Sequence, residues 1–153
     1  MYIVSACLAG INSRYDGTNL KDEDIIRLIA SGEAIPLCPE QLGGLPTPRV
    51  RIDFRNGDGK AIVSGLAGVY AIGIDGIDYS ENLMMGAIEV LKIARLIKLN
   101  GAILKDGSPS CGVRYVWVDN KKVEGCGVTT ALLRNNGIDV LSLEEWKGLK
   151  TAS

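Results

Sequence analysis

Three thiols stand where chemistry is expected. Cys7 ends the apolar run that begins at Tyr2, and Cys38 follows Ala34–Leu37. Cys111 lies in Ser108-Pro109-Ser110-Cys111-Gly112, a few residues after the run Ala102–Lys105. Thiolates suit soft metals, and iron–sulfur clusters are held by cysteine. Three protein ligands in place of four leave one position open, as a catalytic metal site requires. Each thiol also has a plainer reading. A free cysteine at a strand end is commonly a small core residue, and that account serves Cys7 or Cys38 taken singly. For Cys111, in a loop of Gly, Ser and Pro, packing is the weaker account. Taken together, with matching placement after three strands, the three read as ligands.

The elements that must position them are short apolar runs alternating with amphipathic stretches, the pattern of a parallel sheet with helical crossovers. Tyr2–Cys7, Ala34–Leu37, Ala102–Lys105 and Ile138–Leu141 read as its strands. In such a sheet the loops after the strands open on one edge, where ligands bind. Helices are expected at Asp22–Ala30, at Tyr79–Asn100 with Ser80 as cap, at Val128–Asn135, and after Ser142-Leu143-Glu144-Glu145, which matches a capping box. Pro39 starts a helical turn that Gly43 and Gly44 stop. Two hairpins are expected. One joins Ile52–Arg55 to Lys60–Val63 through Asn56-Gly57-Asp58-Gly59, and the other joins Tyr115–Val118 to Lys121–Glu124. The stretch Gly65–Gly76 reads as loop or as an irregular strand around Val69–Ile72, and Thr151–Ser153 as a frayed end.

Composition narrows the chemistry. The chain has no histidine, which removes Ser-His and Cys-His pairs and every Cys/His zinc site. Proton transfer must fall to Asp, Glu, Lys, Tyr, Cys or water. A formal net charge of -1 provides no overall basic field toward nucleic acid or an anionic membrane. No apolar stretch is long enough to span a bilayer, and Met1–Ala9 lacks the basic flank of a signal peptide. The expected compartment is the cytoplasm, where thiols stay reduced; four cysteines there read as ligands or nucleophiles before disulfides. Nothing in the sequence sets an oligomeric state.

Other residues carry paired readings. Glu40, two residues after Cys38, is a general acid or base beside a dry cluster, or a helix N-terminal charge. Ser108 and Ser110 could bond a substrate carbonyl or a water, or could form a turn around Pro109. Arg14, Tyr15 and Asp16 offer a cation, a ring and an acceptor to a flat heterocycle, or they anchor their own loop. Arg49 and Arg51 suit an anionic group, or solvent. Gly125-Cys126-Gly127 precedes a helix and either holds an anion or makes a tight helix start, with Cys126 packed there.

Four motifs, in this order and spacing, resemble one family. They are Val4-Ser5-Ala6-Cys7-Leu8-Ala9-Gly10, Arg14-Tyr15-Asp16-Gly17, Cys38-Pro39-Glu40-Gln41-Leu42-Gly43-Gly44-Leu45-Pro46-Thr47-Pro48-Arg49 and Ser108-Pro109-Ser110-Cys111-Gly112. The family is the small bacterial and archaeal domain, long of unknown function, that includes the thiouracil desulfidases. The resemblance runs from the first strand to Gly137-Ile138. It implies a [4Fe-4S] cluster held by Cys7, Cys38 and Cys111, with the fourth iron open to the sulfur of a thiolated base. It implies catalytic roles for Glu40 and Ser108. It leaves Cys126 out of the ligand set. It also marks a departure, since many relatives carry a cysteine where Ser13 stands here.

The expectation is a single α/β domain over residues 1–153, a mainly parallel sheet flanked by helices in Rossmann- or flavodoxin-like layering, with small hairpin insertions. By resemblance, its function is cluster-dependent, non-redox removal of sulfur from a thiolated pyrimidine base or nucleoside, or a related thiocarbonyl compound. Arg14, Tyr15, Asp16, Ser110 and Arg49 are the candidate substrate contacts. Two other classes stay open: a module holding zinc through the same cysteines, and a small-molecule or phosphate-binding protein with packed thiols.

Overall fold

The computed structural model describes residues 1–152, with the backbone alone for Ala152. The chain runs β1 (Tyr2–Ser5), α1 (Glu23–Ala30), β2 (Ala34–Leu37), α2 (Pro39–Leu42), β3 (Ile52–Arg55), α3 (Gly59–Val63), β4 (Tyr70–Gly73), α4 (Ser80–Leu96), β5 (Gly101–Leu104), β6 (Tyr115–Val118), β7 (Lys121–Glu124), α5 (Val128–Asn135), β8 (Val140–Ser142) and α6 (Leu143–Ala152). Strands β2-β1-β5-β8 form a parallel sheet. Its faces are apolar on both sides, as a covered parallel sheet must be. Ile3, Ala102 and Leu104 pack against Val90, Leu91 and Ala94 of α4 and Leu133 of α5. Val4 and Ile103 pack the other way, against Ile25 of α1 and Trp146 of α6. This is the α/β layering expected from the sequence.

A second four-stranded sheet, β4-β3-β6-β7, stands beside it. Here the sequence reading needs correction. Lys60–Val63 is not a strand: Gly59–Val63 is helical, because the Asp58 carboxylate caps it by accepting from the Ala61 amide at 3.3 Å. Asn56 does turn the chain, with φ 66°, but it leads into that helix. The antiparallel partner of β3 is β4, within the stretch 65–76 that the sequence pattern assigns to loop or irregular strand. The hairpin β6–β7 is present. The first half of α4 covers this sheet, with Leu83 and Ala87 against Ile52, Phe54, Ala71 and Val116. One helix therefore packs on both sheets.

Several ends also differ. Strand β1 stops at Ser5, and Ala6–Ala9 is a 3-10 turn closed by Gly10 at φ 86°. Helix α4 ends at Leu96, and its first amide is taken by Asp78, which accepts from Ser80 N–H at 2.9 Å. The Ser142–Glu145 capping box forms with both of its bonds, at 3.1 and 2.9 Å. Helix α6 continues to Ala152 where fraying was expected, and Ser153 lies outside the described residues. No helix among the described residues is long and apolar enough to cross a membrane.

The short helix α2 lies backbone-to-backbone on α4. A Cβ at Gly86 would stand 2.0 Å from the Pro39 carbonyl oxygen, and one at Gly43 would stand 2.1 Å from that of Asn82. Asn82 Nδ2 donates to the Gly43 carbonyl at 2.9 Å. These contacts leave α2, with Cys38 before it and Glu40 on it, no room to shift. Gly86→Ala is therefore expected to destabilise the protein by about 1–3 kcal/mol through overpacking. The exposed neighbour Met85→Ala should change stability by less than about 0.5 kcal/mol. Urea unfolding of the two variants checks this.

Candidate metal centre and active site

The carboxyl ends of β2, β1 and β5 open on a cavity of about 240 Å³. Cys7 reaches it from the 3-10 turn after β1, Cys38 from the residue between β2 and α2, and Cys111 from the loop after β5. All three are buried and unbridged. Cys7 packs with the α1/α6 side of the sheet and Cys111 with the α4/α5 side, so the thiols approach the cavity from opposite layers. Burial pushes the Cys7 thiol up to about 11; nearby Lys105 works against this, while Glu40 and Cys38 add to it. Burial and the Glu40 charge raise Cys38, and the amides of Gln41 and Glu40 at the start of α2 partly offset them. Cys111 is raised well above the ordinary range by burial and Glu40, with a Ser5 hydrogen bond opposing.

Glu40 and Arg49 form a buried ion pair, Nη2 to Oε2 at 3.1 Å, with side-chain exposures of 11% and 5%. Arg49 Nη2 also donates to the Ser13 carbonyl at 3.0 Å and lies 4.0 Å from Cys38 Sγ. Its Nη1 donates to Thr47 Oγ1 at 3.0 Å and to the Pro46 carbonyl at 3.3 Å. Both terminal nitrogens of Arg49 are thus occupied by the protein, and it holds the site together instead of waiting for a ligand. Glu40 does not cap α2 with its side chain; among the described residues its Oε1 has no partner and is left to the cavity.

Ser108 lines the cavity, and its Oγ accepts from the amides of Ser110 and Cys111 at 3.2 and 3.1 Å. The turn reading therefore holds, and the hydroxyl proton remains to be donated. The loop is pinned further by Asp106, whose carboxylate accepts from the amides of Gly107, Val113, Arg114 and Tyr115. Burial disfavours the Asp106 charge, but the Arg114, Val113 and Tyr115 donors outweigh it and hold this carboxyl below the usual range.

Not every candidate reaches the cavity. Arg14 and Tyr15 line it, with the guanidinium carbon 5.9 Å from the ring centroid. Asp16 does not: its carboxylate takes the Thr18 hydroxyl at 2.6 Å and the Thr18 amide at 3.1 Å, which is the loop-anchor role. Ser110 is wholly buried away from the cavity, and its hydroxyl has no partner among the described residues. Cys126 sits apart from the other thiols; its amide donates to Asp58 Oδ2 at 3.0 Å, and burial raises its thiol. The cavity also has residues the sequence reading missed. Lys105 is the first residue after β5, as Cys38 is the first after β2, and that position is its signal. Asp53 and Trp117 come from the second sheet, which was not foreseen.

The donor set fits an iron–sulfur cluster. Cys7, Cys38 and Cys111 line one cavity, and cysteine thiolates are the ligands that hold such clusters. Arg14, Arg49 and Lys105 supply cations beside the thiolates.

Comparison with known proteins follows the same line. The model of the 2-thiouracil desulfurase family matches residues 2–145. The uncharacterized protein YbbK of Bacillus subtilis (strain 168) is 38% identical over 148 residues, spanning 95% of this chain and 97% of that protein. Among solved structures, the [4Fe-4S]-dependent thiouracil desulfidase TudS superposes with a TM-score of 0.83 at 35% identity, covering 99% of this chain and 95% of the other.

Two outcomes test the electrostatics. Removing the Arg49 side chain (Arg49→Met) leaves Glu40 buried without its partner and should cost about 3–5 kcal/mol in urea unfolding. Adding Glu40→Gln to that variant should recover part of the loss. In metal-free, reduced protein, the folded state holds the Cys7 proton that the unfolded chain releases near pH 9, so stability is fully present below that pH. It should fall as pH rises through about 11, by up to about 2–3 kcal/mol relative to Cys7→Ser. Urea titrations of both proteins at pH 8, 10 and 11 measure it.

Proposed function

The chain belongs to the 2-thiouracil desulfurase family, and from that membership we propose that it is a cytoplasmic iron–sulfur enzyme that removes sulfur from a thiolated pyrimidine or related thiocarbonyl compound. One observation carries the reading: three free thiols, a carboxylate with one open oxygen and a serine hydroxyl line a single cavity at the sheet edge. Cys7, Cys38 and Cys111 would hold a [4Fe-4S] cluster. Held there, such a cluster would supply Lewis-acid chemistry toward the substrate's sulfur. The net reaction exchanges C=S and water for C=O and hydrogen sulfide, with no change in electron count.

The chain's own residues then have defined tasks. Arg49 holds Glu40 by Oε2, which leaves Oε1 to take a proton from the attacking water. Ser108 Oγ, fixed by two amides, donates its proton to the substrate or to that water. Arg14 and Tyr15 meet the substrate at the loop side of the cavity. Asp16 and Ser110 have no part in this scheme, and Arg49 acts through Glu40. Cys7, Cys38 and Cys111 are nearly closed to solvent, which would shield a cluster held by them from bulk water.

Variants separate ligand from catalyst. Cys111→Ala should lose iron and sulfide release together. Glu40→Gln should keep its iron and lose about 10²–10⁴-fold in rate, since Gln cannot exchange a proton near neutral pH. Ser108→Ala should fall in the same range, read against its iron content because the hydroxyl also holds the Cys111 amide. The measurement is anaerobic iron content beside sulfide release from a panel of thiolated bases and nucleosides. A Glu40→Gln protein that keeps full activity removes Glu40 from the mechanism.

A further inference from the structure

The cavity has a wall that cysteine chemistry leaves unused. Pairing of Phe54 with Val118 places Asp53 and Trp117, one residue back on each strand, side by side on the face of the second sheet opposite its core. Both line the cavity, as does Arg51. The Arg51 guanidinium leans on the Trp117 ring, its carbon 5.5 Å from the centroid, and its Nε donates to Asp53 Oδ1 at 3.2 Å. Asp53 Oδ2 takes no partner among the described residues, although the side chain is only 15% exposed.

Stability alone is a weak reason for this arrangement. Arg51 is 46% exposed, and such a pair contributes little to folding. An indole ring and a half-satisfied carboxylate at the mouth of a cavity are instead the parts of a small-ligand site: an apolar platform with one placed acceptor. A pyrimidine supplies their counterparts, a flat polarisable ring and ring N–H donors.

Resting on the desulfidase reading, we infer that Trp117 and Asp53 form the base-recognition wall of this site. The ring stacks on Trp117, an N–H donates to Asp53 Oδ2, and the substrate class is narrowed to planar heterocycles with a free ring N–H. Arg51 is a positioning residue that holds both side chains.

The test uses cluster-loaded protein. Steady-state kinetics with 2-thiouracil are set beside calorimetric binding of uracil, which carries no sulfur, and of 1,3-dimethyluracil, which has no ring N–H. Trp117→Ala should weaken uracil binding and raise KM by roughly 10- to 100-fold, the scale of lost base stacking. The fall in kcat should be smaller than the rise in KM, with iron content unchanged. Trp117→Phe should recover most of the affinity, which a merely structural role would not predict. Wild type should prefer uracil to its dimethyl form, and Asp53→Ala should erase that preference. Equal uracil binding by wild type and Trp117→Ala overturns the wall, as does failure of wild type to bind uracil at millimolar concentration. The two readings fail separately. Trp117-dependent uracil binding without sulfide release keeps the wall and sinks the desulfidase; sulfide release with KM unmoved in Trp117→Ala does the reverse.

Discussion

A buried guanidinium organises the cavity. A cation taken out of water must find partners for its donors, or its desolvation goes uncompensated. Arg49 finds them on three separate segments: the Ser13 carbonyl, the Glu40 carboxylate beside Cys38, and the Pro46–Thr47 stretch leading to itself. Its backbone amide adds a fourth link, to the Tyr15 carbonyl at 2.7 Å. One side chain therefore sets the distance between the loop after β1 and the helix after β2. A lysine has the charge but not the fork of donors that reaches all three at once. The same contacts decide which oxygen of Glu40 is free, so a structural constraint becomes a chemical one.

The two sheets divide the work. The parallel sheet delivers the thiols, because three adjacent strands end at one edge and each loop after them carries a cysteine. The second sheet supplies Asp53 and Trp117, and Arg51 stands just before β3. Their relative placement rests on α4, whose two halves pack on the two cores, and on the close crossing of α2 over α4 at Gly43 and Gly86.

What the sequence revealed followed from local rules. Short apolar runs before each cysteine identified the parallel strands, and Ser142 with Glu145 marked the start of α6. The second sheet was not legible because its pairing is non-local: β3 meets β4 across α3, and Asn56-Gly57-Asp58-Gly59 carries both a turn signal and a helix cap. At the site, the structure lines the cavity with Arg14, Tyr15, Glu40 and Ser108, while the hydrogen bonds that other candidates make within the protein are not legible in the sequence. Arg49 is consumed by its own protein, Asp16 by Thr18, and Ser110 is sealed in the core. Those outcomes depend on what stands within 3 Å, which spacing along the chain does not encode. Trp117 shows the same limit from the other side: alternation along β6 separates it from Val116, yet only the docking of two sheets brings it to the cavity that the thiols line.

The electrostatics of the thiols close the argument. Burial raises Cys7, Cys38 and Cys111 alike, and the Glu40 charge raises each of them further. Without metal the three cysteines are therefore held as neutral thiols among the charged groups that line the cavity. Metal ligation requires thiolates, so binding must expel those protons, and affinity is coupled to pH through every one of them. The opposing influences are already in place: Lys105 and Arg14 lower Cys7, Arg49 and the α2 amides lower Cys38, and Ser5 lowers Cys111. Each is too weak to ionise a buried thiol alone, which keeps the free cysteines poorly nucleophilic toward passing oxidants and electrophiles. The same groups would favour the thiolate forms that metal ligation requires. Burial and the Glu40 charge thus keep the three thiols protonated, while Lys105, Arg14, Arg49, the α2 amides and Ser5 stand where they offset part of that penalty, and Arg49 holds in place the carboxylate that opposes them.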